Sequence, residues 1–151
     1  MIELVATLVI MSSSVLLFGY WFRYTCLLIL SARTTRDYAA SVALANQLSF
    51  PEVQAQLREV ASPELDRLKD ALDRDYKVLT YLLKNAANAS DGQDALEKRM
   101  LEINYRLMQN WYSVSRRFSP AAAARALDEM ATVVAHFANS MGERAAAGAA
   151  A

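Results

Sequence analysis

One cysteine, one histidine, four glycines and three prolines among 151 residues leave the chain short of the parts from which much catalytic chemistry is assembled. A single Cys excludes an internal disulfide framework, and a single His excludes a histidine-rich metal site. Four glycines are little material for a loop that cradles phosphate. Excess charge is also missing. The 16 Lys+Arg balance 16 Asp+Glu, and the balance persists from Arg33 onward, so no global field argues for nucleic acid, anionic lipid or an acidic substrate. Apolar residues are abundant at 54%, which excludes a disordered chain. No window alternates polar and apolar residues as a strand would, so the expected class is all-α.

The apolar residues are concentrated at the front. Leu4 to Phe22 carries no ionisable side chain, and as a helix rising about 1.5 Å per residue it matches the hydrocarbon thickness of a bilayer. Its polar members, Thr7 and Ser12 to Ser14, can return hydrogen bonds to carbonyls one turn earlier. A cleaved signal peptide fits less well. Met1-Ile2-Glu3 offers no basic residue, the run exceeds the usual apolar region, and no small-x-small pair closely follows it. A retained single-pass anchor is therefore expected, ending near Tyr24, where Tyr20, Trp21, Arg23 and Tyr24 have the composition of a membrane interface. Arg23, Arg33 and Arg36 follow the span while Glu3 precedes it. The positive-inside rule then puts the N-terminus outside the cell membrane and the remainder in the cytoplasm.

Cys26 to Leu30 form a second apolar run that covers every side of a helix. Such a run needs a cover, either lipid reached by tilting the span or other protein, so Leu27, Leu28 and Leu30 are candidate partner contacts.

The remaining sequence reads as an antiparallel bundle of three to four helices over residues 33–143, with an Ala-rich tail at 144–151 expected to fray. Ser49-Phe50-Pro51-Glu52 and Ser90-Asp91-Gly92-Gln93 resemble capping boxes, and Ser62-Pro63 and Ser119-Pro120 place Pro at a first helical position. A further helix, Thr34 to Gln47, is expected to continue directly from the anchor. Leu65, Leu68, Leu72, Leu79 and Leu82 make one stripe, and Leu127, Met130, Val134, Phe137 and Met141 another. Between them, Leu96, Met100, Ile103, Leu107, Trp111, Val114 and Phe118 make a third, expected to face the core. Leu101, Tyr105, Met108 and Tyr112 form a second apolar side of that same helix. Its residue types suit either a neighbouring helix or a partner protein, so these four are candidate partner contacts.

Other clusters have plain explanations. Asp66, Asp70 and Asp73 share a helix face and could hold a cation, yet Arg67, Lys69, Arg74 and Lys77 interleave them as a salt-bridged surface would. His136 has no assignable nucleophile, and Arg116 and Arg117 suit a helix C-terminus. No catalytic, cofactor-binding or metal-ligating residue is assigned, and no nucleic acid or small-molecule substrate is implied. The expected function is a non-enzymatic membrane anchor, scaffold or subunit of a membrane assembly, in contact with the bilayer and with copies of itself or other membrane proteins. The alternative is a signal relay that passes motion from the anchor into the bundle.

Overall fold

The computed structural model of the chain describes residues 1–32, 36–59, 64–86 and 92–149. Among them every regular element is a helix: α1 (Ile2–Ser31), α2 (Ala39–Asn46), α3 (Phe50–Glu59), α4 (Leu65–Asn85), α5 (Gly92–Ser115) and α6 (Pro120–Ala149). The protein is all-α, a long apolar N-terminal helix followed by a helical bundle. The chain divides into two compact units, Met1–Arg33 and Thr34–Ala151.

In the first unit, α1 is long and apolar enough to cross a membrane. Leu4, Val5, Leu8, Leu16, Phe18 and their neighbours are exposed on all sides, the surface that a membrane-crossing helix would present to lipid. Its hydroxyls do not interrupt it. Thr7 Oγ1 donates to the Glu3 carbonyl at 2.8 Å, Ser14 Oγ to Ile10 at 2.8 Å and Thr25 Oγ1 to Trp21 at 2.9 Å. The helix passes Tyr24 and ends at Ser31, so Leu27 to Leu30 belong to its last turns. Leu27 and Leu28 are exposed there, Leu30 is half-buried and Cys26 is buried.

The expected continuation of the anchor into Thr34–Gln47 is corrected. The backbone turns extended at Ala32, with φ −62° and ψ 123°, and α2 begins only at Ala39. Its start is fixed by side chains: Asp37 Oδ1 accepts from the Ala39 amide at 2.9 Å, and Asn139 Oδ1, from α6, accepts from the Tyr38 amide at 2.6 Å. Residues 33–35, on which the rest of that expectation falls, lie outside the described residues.

In the second unit the central element is α6. It packs against α2, α3, α4 and α5, because Ala123, Ala126, Ala131, Ala138 and Gly142 keep its sides narrow while Leu127, Met130, Val133, Val134 and Phe137 fill the spaces between helices. It starts as expected, with Ser119 Oγ accepting from the Ala122 amide at 3.3 Å. It also extends further than expected, since the Ala-rich tail is helical to Ala149.

The helix start at Ser49-Phe50 is also observed, but its cap comes from elsewhere. Asp75 Oδ2, on α4, accepts from the Ser49 amide at 2.6 Å and the Phe50 amide at 2.8 Å, while Arg74 donates to Ser49 Oγ at 2.8 Å. Two buried polar side chains, Asp75 and Asn139, thus terminate the two short helices from a distance. The Ser62-Pro63 pair and the 87–91 segment with the Ser90 cap lie outside the described residues.

Candidate interaction surface

The two sides of α5 are the reverse of the expected assignment. Leu101, Tyr105, Met108 and Tyr112, expected as partner contacts, are core residues, with Tyr105 0% and Tyr112 1% exposed. The stripe expected to face the core stands in solvent, with Trp111 52% and Phe118 81% exposed and Leu96, Ile103, Leu107 and Val114 exposed beside them.

The tyrosines decide which side is buried. Tyr105 stacks on Tyr76 of α4 with ring centroids 3.9 Å apart and planes 3° from parallel. The Tyr105 hydroxyl donates to Asp73 Oδ1 at 2.8 Å, Gln109 Nε2 donates to the same oxygen at 2.6 Å, and the Tyr112 hydroxyl donates to Asp66 Oδ1 at 2.8 Å. Arg116 completes an ion pair with Asp66, and Lys69 one with Asp73 at 2.6 Å. A tyrosine can be buried without penalty only where its hydroxyl finds a partner. The aspartates of α4 supply that partner along one side of α5, whereas Trp111 on the other side stands exposed.

Burial pushes the Tyr76 and Tyr112 hydroxyls up to about 12, with Asp66 adding to the shift at Tyr112, and raises Tyr105 further, again by burial first and Asp73 second. These groups remain protonated donors at neutral pH. Asp66 and Asp73 therefore serve as acceptors in the α4–α5 seam. Towards α6, Asn104 Nδ2 donates to Glu129 at 2.7 Å and His136 Nε2 lies 2.9 Å from Glu97 Oε1, tying α5 to α6.

The exposed stripe has a regular geometry. Leu96 repeats at Leu107 and Phe118, Met100 at Trp111, and Ile103 at Val114, each after eleven residues. Eleven residues in three turns give about 3.67 per turn, close to the unperturbed helix, so the stripe hardly drifts around the axis. From Leu96 to Val114 it runs about 27 Å at 1.5 Å per residue, and Phe118 extends it just beyond the end of α5. Arg99, Arg106 and Arg117 are exposed along one border.

No family model, curated protein or solved structure matches the chain. Its function is therefore argued from these residues. Among the described residues no group of three or more His, Cys, Asp or Glu side chains is gathered as a metal site would need. Nor do any bring a nucleophile to His136. A straight apolar surface rimmed by arginines, on a bundle joined to a bilayer-length helix, is suited to holding another macromolecule.

Sequence reasoning found both apolar sides of α5 and mistook their roles. The available signal was polar. Asn104 and Ser115 lie on the arc of Leu101, Tyr105, Met108 and Tyr112 and are buried with it, whereas the Trp111 stripe is free of polar residues. Purity of an apolar stripe favours the core assignment by default, yet a buried face can carry hydrogen-bonding groups wherever neighbours answer them.

Proposed function

We propose that the chain is a single-pass membrane protein that acts without catalysis of its own, as an anchor, scaffold or subunit of a membrane-associated assembly. The observation that carries this reading is the stripe Leu96, Ile103, Leu107, Trp111, Val114 and Phe118, left uncovered by the bundle. Trp, Phe, Leu and Ile in one straight patch are the residue types of interface cores, and contiguous apolar surface of this kind marks contact sites. The anchor is α1, with the N-terminus outside and the bundle in the cytoplasm, as supported by Arg23, Arg33 and Arg36 on the bundle side of the span. Confinement to the membrane plane raises the effective concentration of the stripe towards membrane partners. The partner is an apolar helix face, from a second copy or another subunit.

The relay alternative has less support. A stiff transmission needs an unbroken helix from anchor to bundle, whereas α1 ends at Ser31 and α2 starts at Ala39.

The test uses the full chain extracted in mild detergent. Trp111→Ser with Phe118→Ser should shift the complex to a smaller size while leaving helical content unchanged and folding stability within about 0.5 kcal/mol of the parent, because both side chains are exposed. Equal sizes for parent and variant would contradict the assignment of this surface. Leu27→Ser with Leu30→Ser examines the last turns of α1 in the same way.

A further inference from the structure

Beside the first half of the α5 stripe lies a cavity of about 440 Å³, lined by Leu83 of α4, Ala95, Lys98, Arg99, Glu102, Ile103 and Arg106 of α5, and Arg144 of α6. Four cationic side chains from two helices converge there against one carboxylate. Their internal partners are loose: Lys98 Nζ stands 3.9 Å from Glu102, and Arg144 Nη2 stands 3.8 Å from Asp94, both beyond hydrogen-bond length. Arg99 and Arg106 make no ion pair among the described residues, whereas Arg116, on the same helix, is held by Asp66. A neutral chain has gathered weakly paired positive charge at one concave place.

We propose that this cavity binds a phosphate group, supplied either by the headgroup of an anionic phospholipid or by free phosphate. Guanidinium forks match phosphate oxygens in pairs, and two arginines about two turns apart on α5 line the cavity together with a third on α6. The volume lies in the range of small-molecule sites and exceeds what a bare phosphate fills. Leu83 and Ile103 make part of the wall apolar, and Ile103 opens directly onto the exposed stripe, so the headgroup of a lipid is the better-fitting source. The site shares Ile103 with the stripe but neither Trp111 nor Phe118 lines it, so either proposal can fail without the other.

The experiment follows the arginine Nε–Hε resonances of the full chain in dodecyl maltoside during titration with dihexanoyl phosphatidate and, separately, with inorganic phosphate. Arg99, Arg106 and Arg144 should shift saturably while Arg117 does not. Arg99→Gln with Arg106→Gln should weaken binding at least about tenfold, and Arg144→Gln, on a different helix, should weaken it in the same direction. Tighter binding of the lipid identifies the headgroup as the source, and equal midpoints identify the free anion; both support the phosphate site. Absence of saturable shifts with either ligand, or binding unchanged in both folded variants, would overturn the proposal.

Discussion

Replacing Asp75 by Ala should cost the bundle about 2 kcal/mol, the sum of a lost helix cap and buried amides left without an acceptor. Asp75 is fully buried, and its Oδ2 is the acceptor for the amides of both Ser49 and Phe50. With Ala, the start of α3 loses both acceptors at once, and the helix should loosen from α4. Asp75→Asn keeps an oxygen in position and should lose less than half as much. Chemical denaturation of the two variants, with unchanged dependence on denaturant, measures the difference.

The same residue sets a pH dependence of unusual sign. Burial raises the Asp75 carboxyl above its ordinary value, against the opposing effects of the two amides and of Arg74, whose Nη2 lies 3.6 Å from Oδ1. The other oxygen, Oδ1, accepts no hydrogen bond among the described residues. A carboxyl whose folded value is raised contributes stability that is fully present below the unfolded value and is lost as pH rises through the folded value. As pH falls through the raised value towards the ordinary carboxylate range, the parent should therefore gain stability relative to Asp75→Asn, which has no such proton to take up.

Gly142→Ala is the second large effect. In an ordinary helix interior this change stabilises by about 1 kcal/mol. Here the new methyl would overlap the Tyr38 Cβ and stand 2.9 Å from its Cγ and 3.2 Å from Val42 Cγ2. The first obstacle is the root of a side chain, so α2 itself must move, and overpacking of that kind costs about 1–3 kcal/mol. The net expectation is a loss of about 1–2 kcal/mol, accompanied by strain on the hydrogen bond from the Tyr38 amide to Asn139. Gly148→Ala is the control, since nothing lies within 4 Å of a methyl there, and it should be neutral or slightly stabilising. Thermal melting of both variants decides the sign at each position.

These residues show what could be read before the fold was known. Stripes such as Leu68, Leu72 and Leu79 or Leu127, Met130 and Val134 repeat locally at helical spacing, and local periodicity is a property of sequence alone. The start of α6 at Ser119-Pro120 was legible for the same reason. The caps supplied by Asp75 and Asn139 were not, because each residue acts 25 or more positions away from the amides it satisfies. The late start of α2 escaped similarly, since Asn139 holds the Tyr38 amide just before it from the far end of the chain. The face of α5 depended on which side met the α4 aspartates, a matter of helix arrangement that spacing does not encode. The small residues of α6 were visible as Ala and Gly, but their use, to let four helices approach one, appears only in the packed bundle.

The central claim is that α1 resides in lipid and carries the bundle with it. Alkaline carbonate extraction of membranes from cells expressing the full chain tests this most directly. The full chain should remain in the membrane pellet, while a chain lacking residues 2–31 should enter the supernatant. Release of the full chain by carbonate, with the bundle still folded, would contradict it.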